Sequence, residues 1–159
     1  MIFASVGTQL PFDRLIKALD DWVGEHNEET VFAQIGNSDY KPVNFEYSES
    51  LSPSEFQLRF GNARLIVAHA GMGTILQCLD VSKPLIIMPR RSDMGEHRND
   101  HQMATAEKFK RFNNVCVVED QNQLWEALDK PPVVSVAENP KGNANIDRLI
   151  NEIHTFINT

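Results

Sequence analysis

Apolar and polar positions along this chain follow two rhythms, short solid runs and longer stretches with a helical beat. Met1 to Val6 is an apolar run closed by Gly7, and beyond Pro11 the residues Phe12, Leu15, Ile16, Leu19, Trp22 and Val23 recur at helical spacing. This predicts strand, tight loop, helix. A second run, Thr30 to Ile35, ends at Gly36, and a third around Phe45 to Tyr47 leads to Ser52, Pro53 and Glu55, a good helix entry. Leu65 to Ala68 reads as a fully buried strand, followed by a glycine-containing turn and a helix from about Gly73 to Val81. Pro84 to Met88 is another buried strand. After a polar loop from Pro89 to Arg98, a helix carries Met103, Ala106 and Phe109, Val115 to Val118 gives a further strand, and a short helix spans about Leu124 to Leu128.

Strands alternating with helices predict an α/β fold, a Rossmann-like, mostly parallel sheet with helices on both faces. The whole of 1–159 is expected to be one domain. A proline-bearing connector at about 130–141 crosses its surface, and a last helix at about 143–158 carries Ile146, Leu149, Ile150, Ile153 and Ile157 on one face. That helix packs either on its own domain or across onto a partner. Parallel sheets bind ligands outside the carboxyl ends of their strands, so the informative residues should follow strands directly. Gly7 to Gln9, His69 to Thr74 and Arg90 to Gln102 do so.

Composition narrows the function. With 159 residues and 42% hydrophobic content the chain can bury one core but not two ordinary ones. Fifteen basic residues against 22 acidic ones leave a net charge of −7, the wrong sign for a nucleic-acid surface, so no nucleic-acid partner is expected. Cys78 and Cys116 lie far apart in apolar stretches and read as buried free thiols in a reducing compartment. No leader and no run of membrane-spanning length stands out, which predicts a cytoplasmic protein.

The turn His69-Ala70-Gly71-Met72-Gly73-Thr74 joins a buried strand to a helix, so backbone N–H groups and the positive helix end converge on one spot. Gly71 and Gly73 let the main chain approach a phosphate, Thr74 adds a hydroxyl, and His69 offers an imidazole at the strand end. The plain alternative is a turn that needs glycine for its own path. Two familiar phosphate motifs are excluded by position. The dinucleotide fingerprint requires glycine where Leu76 stands, and the P-loop requires a lysine that does not occur between Lys41 and Lys83. His97 and His101 are four apart, as metal ligands on a helix can be, but HRNDH lacks the zincin glutamate and a third ligand, so no metal is expected and His97 reads as solvent-exposed.

The string LIVAHAGMGTILQCLDVSKPLIIMPR, followed by GEHRNDHQMATA, resembles the C-terminal, donor-binding half of family 28 glycosyltransferases. The opening MIFASVGTQLPFDRLIKALD is similar to the small stand-alone subunits of that family, among them the catalytic subunit of the eukaryotic enzyme that adds the second GlcNAc to dolichol-diphosphate and bacterial counterparts in exopolysaccharide synthesis. The resemblance covers about residues 1–130 and implies the C-terminal half of a two-domain GT-B fold. It implies that Gly71, Met72, Gly73 and Thr74 hold the diphosphate of a UDP-sugar substrate, with His69 at the mouth of that turn as a hydrogen-bond donor or as the candidate catalytic group. A satisfied structural histidine is the competing reading. The family usually carries a ribose-binding glutamate one helical turn further on, where this chain has Gln77. The resemblance further assigns Asp100, His101 and Gln102 to sugar hydroxyls, Gly7, Thr8 and Gln9 to the same cleft, and the backbone of Ser48 to Pro53 to the uracil. Arg90 and Arg91 either meet an anion or pair with surface carboxylates.

By the same resemblance the activity is inverting hexosyl transfer without a metal or other cofactor. The acceptor, a lipid-diphosphate-linked saccharide, is expected on a membrane-associated glycosyltransferase subunit that holds this chain peripherally at the inner face of the membrane. The alternative is a non-catalytic nucleotide-sugar-binding or regulatory module; an unrelated flavodoxin-like or hydrolase domain is disfavoured, since no Gly-x-Ser-x-Gly elbow occurs.

Overall fold

A computed structural model describes residues 1–133; the helix expected at about 143–158 and most of the connector before it lie outside the described residues. Six strands, β1 (Ile2–Ser5), β2 (Val31–Gln34), β3 (Glu46–Ser48), β4 (Leu65–His69), β5 (Leu85–Met88) and β6 (Val115–Val117), form one sheet in the order β3-β2-β1-β4-β5-β6, every neighbouring pair parallel. β1 and β4 align Ile2 with Leu65 and Ser5 with Ala68 at the centre of the sheet. Both strands are buried on both faces, which is why they read as solid apolar runs.

Among the described residues, five α-helices cover the sheet. On one side α1 (Asp13–Glu25) and α5 (Gln121–Asp129) bury Leu15, Leu19, Trp22, Leu124 and Leu128 against Ile2, Val31 and Val67. On the other, α2 (Pro53–Asn62), α3 (Met72–Asp80) and α4 (His101–Phe109) bury Phe60, Ile75, Cys78 and Phe109 against Phe3, Ile66 and Ile87. The Rossmann-like α/β expectation is therefore met. Local signals account for the boundaries. Ser52 caps α2 in a reciprocal box with Glu55, the Ser52 hydroxyl accepting from Glu55 N–H at 3.2 Å and the Glu55 carboxylate from Ser52 N–H at 3.1 Å. The Asp120 carboxylate accepts from Gln123 N–H at 2.8 Å and starts α5 three residues earlier than its apolar stripe suggests. α1 begins at Asp13 rather than at Pro11, because Phe12 occupies the cap and its carbonyl takes the first turn's N–H groups from Leu15 and Ile16.

A buried carboxylate ties down the loop between β2 and β3. Asp20, fully buried in α1, accepts from the Tyr40 hydroxyl at 2.6 Å and from the N–H groups of Val43 and Asn44. The hydrogen bond to Asp20, with burial adding to it, pushes the Tyr40 phenol up to about 12. The loop thus stays ordered without an apolar core of its own.

Candidate functional site

In a parallel sheet of this order the connections leave β1 and β4 in opposite directions, which opens a crevice between their carboxyl ends. A cleft of about 510 Å³ lies there. That volume suits a ligand of nucleotide size. Its walls come from the loop after β1 (Gly7, Thr8, Gln9, Leu10), the turn after β4 and the first turns of α3 (Gly71, Met72, Gly73, Thr74, Gln77), the start of α2 (Pro53, Phe56, Gln57), and Arg90, His97 and Gln102. His69 stands at the end of β4 between the first two walls.

The first intrahelical bond of α3 runs from Ile75 N–H to the Gly71 carbonyl at 3.2 Å. The N–H groups of Met72, Gly73 and Thr74 therefore precede every acceptor within their own helix, and no side chain caps this end. Partial positive charge faces the cleft there. Among the described residues, Gln77 Oε1 is buried and meets no hydrogen-bond partner, one turn further along the same wall. A buried polar atom without a partner costs free energy of about 1–3 kcal/mol unless a ligand or water meets it.

Two glycines make room for the imidazole. A Cβ on Gly71 would stand 2.4 Å from His69 Nε2, and one on Gly7 would stand 2.8 Å from it. Gly7 also has φ of +79°, in the left-handed region, so it is required twice over. Burial, reinforced by the Arg90 charge and by the neighbouring His97, pulls the His69 pKa from 6.5 down to about 4, which leaves the ring neutral near pH 7.

Arg90 lines the cleft but pairs with no surface carboxylate; its guanidinium is turned onto the backbone. It is 2% exposed, and its guanidinium donates to the backbone carbonyls of Pro11, Val6 and Leu10 at 2.5, 2.5 and 2.8 Å while lying over the Phe12 ring. Desolvation lowers its pKa to about 10, still high enough to keep the charge at neutral pH. Arg90 is thus a clasp on the loop that carries Thr8 and Gln9. Arg91 does pair with a surface carboxylate, Asp93, at 2.8 Å. Arg14 braces the next loop, holding Glu96 through two bonds of 2.9 Å and the carbonyl of Glu119 at 2.7 Å.

Gln102 lines the cleft, with its amide between Arg90 N–H at 3.0 Å and His69 Nδ1 at 3.1 Å. Asp100 and His101 are exposed and lie outside the lining. The Asp100 carboxylate accepts from both the N–H and the hydroxyl of Ser92, at 3.0 and 2.8 Å, which holds its pKa below the usual carboxylate range and closes the loop before α4. His97 is a correction. It was expected in solvent, but it is half-buried and lines the cleft, turned inward as Glu96 is drawn onto Arg14 and Asn99 N–H donates to its Nδ1. Of the segment Ser48 to Pro53, expected to face a uracil, Leu51 and Pro53 reach the lining. Sequence reasoning passed over Ser5 and Gln34, buried polar residues that end β1 and β2, with the Ser5 hydroxyl donating to Gln34 Oε1 at 3.2 Å. Their signal was a polar side chain at the last position of an apolar run. Among the described residues no three His, Cys, Asp or Glu side chains gather as a metal site would require, and no helix is long and apolar enough to cross a membrane.

Comparison with known proteins agrees with this geometry. The sequence model of the glycosyltransferase family 28 C-terminal domain matches residues 1–149. The UDP-N-acetylglucosamine transferase subunit ALG13 of Candida albicans is 26% identical over 136 residues, covering 86% of this chain but only 40% of that protein. The chain therefore spans about two fifths of the length of that curated relative. Among solved structures, the NMR structure of ALG13 superposes with a TM-score of 0.61 at 19% identity over 93% of both chains. The glycosyltransferase of kitacinnamycin gives 0.61 at 19% identity, covering 97% of this chain and 39% of that one. The calicheamicin glycosyltransferase CalG4 gives 0.57 at 16% identity, covering 96% and 38%. These likenesses establish the fold, one half of the GT-B architecture. With the family match running through the loop after β1, the turn after β4 and the start of α4, the chain belongs to the family of glycosyltransferase family 28 C-terminal domains.

Proposed function

We propose that this chain is the donor-binding, catalytic subunit of an inverting UDP-sugar glycosyltransferase. It transfers a hexose without a bound metal, at the inner face of the membrane, to a lipid-diphosphate-linked saccharide held by a membrane-associated partner, in polysaccharide biosynthesis. One observation carries the reading. In a single cleft the uncapped N–H groups of α3 and, one helical turn further along the same helix, Gln77 with its unpartnered buried oxygen line one wall, suitable partners for a diphosphate and a neighbouring hydroxyl. Negative charge develops on the diphosphate as the glycosidic bond breaks, and fixed N–H donors aimed there lower the barrier. The name of the Candida relative makes UDP-N-acetylglucosamine the first donor to try.

Calorimetric titration with UDP, UDP-GlcNAc, UDP-glucose, UDP-glucuronate and NAD, in excess chelator, tests this. Saturable binding of a UDP-sugar and not NAD is expected. Thr74→Ala should weaken it about tenfold, the worth of one hydrogen bond to a charged group. No binding by the chain alone or with its co-expressed partner would sink the reading. A second reading, a binding or regulatory module without activity, draws on Gln77 standing where the family usually has glutamate. Donor binding without sugar transfer in the reconstituted pair would favour it.

A further inference from the structure

Arg90 N–H donates to one end of the Gln102 amide at 3.0 Å. A backbone N–H has only a proton to offer, so the atom it meets is the amide oxygen, and the orientation of the amide is fixed. The other end is then the NH₂ group, which carries protons and no lone pair in the amide plane. That group lies 3.1 Å from His69 Nδ1. Nδ1 can receive this bond only as the unprotonated nitrogen, which leaves the ring proton on Nε2. Nε2 is the ring atom wedged against Gly7 and Gly71 at the mouth of the cleft.

We infer that Gln102 is a positioning residue: oriented by the Arg90 backbone, it holds His69 as the Nε2–H tautomer, so the imidazole presents a hydrogen-bond donor to the cleft rather than a proton acceptor. Rotation of the amide would set its NH₂ against Arg90 N–H and its oxygen against Nδ1, so the backbone selects the tautomer two steps away. Arg90 and His97 are the charged or titratable groups acting on the ring, and both oppose a second proton. A neutral ring with Nδ1 engaged cannot remove a proton from an acceptor hydroxyl. It can donate to an oxygen of an anionic ligand, and the same arrangement occupies both ends of Gln102, leaving one amide N–H for a sugar. The consequence for catalysis rests on the donor-site reading; the tautomer does not.

The test is nitrogen NMR on the ligand-free full chain, with the His69 ring identified by its loss in His69→Gln. Long-range proton–nitrogen correlations should show an unprotonated Nδ1 and a protonated Nε2 from about pH 8 down to about pH 5. Gln102→Glu keeps an acceptor for Arg90 N–H but offers Nδ1 a second acceptor. The ring should then carry a proton on Nδ1, and its pKa should rise from about 4 to about 6 or above. Gln102→Met, which removes the amide, should show both tautomers in exchange. A protonated Nδ1 in the unaltered chain overturns the inference, and so does an unchanged tautomer and pKa in either variant. Since no ligand is involved, failure of UDP-sugar binding would leave this assignment standing, and failure here would leave the donor site standing.

Discussion

His69 joins the fold's electrostatics to its packing, and both can be measured. Its pKa falls from 6.5 in the unfolded chain to about 4 in the fold. Above pH 6.5 both states hold the neutral ring and nothing changes with pH. Between 6.5 and about 4 only the unfolded chain takes up the proton, so stability must fall as pH falls. The total from this residue approaches about 3 kcal/mol. Urea unfolding between those limits should show the slope, and His69→Gln should flatten it. Gly71 makes a steric prediction. Its φ of −89° suits any residue, so space alone demands glycine there. Gly71→Ala should cost about 1–3 kcal/mol as the imidazole is driven off its amide, with donor binding in the calorimeter falling alongside.

At the scale of elements, the helices that frame the cleft are set by short polar signals, and some of these were plain in the sequence. Ser52, Pro53 and Glu55 announced α2, and the box they form is exposed. Ser52→Ala should therefore lower stability by about 1 kcal/mol, read as a modest drop in thermal midpoint with the spectrum of the folded state unchanged. β1, β4 and β5 were legible because a strand buried on both faces reads as an almost unbroken apolar run, polar only at its last position in Ser5 and His69. α5 was read too short because its apolar stripe is shorter than its hydrogen-bonded length, and the signal that would have corrected it was Asp120 three residues before Gln123. Arg90 was illegible for a different reason. The carbonyls it clasps lie 79 to 84 residues away in sequence, and no local pattern encodes a bond of that reach. The inward turn of His97 is of the same kind, since it depends on Glu96 meeting Arg14 from α1.

For the molecule as a whole, the hydrophobic pattern conveyed the sheet, and the sheet dictated where the cleft had to be. All six strands run the same way, so the connections fall into two sets, one at each edge. Those leaving the strands build the cleft; those entering them, such as the turn before β2, stand a full strand length away. A strand of four residues spans about 13 Å. The two native thiols meanwhile resist chemistry: Cys78 is fully buried with its pKa pushed up to about 12, and burial also raises that of the half-buried Cys116. Glu28, exposed in the turn before β2, is thus the place for a reporter. Maleimide at neutral pH should modify Glu28→Cys at that one position, seen as a single added mass, while the unaltered chain stays unlabelled. A dye or surface tether placed there stands away from the cleft, so ligand occupancy can be watched on single molecules without the attachment intruding on it.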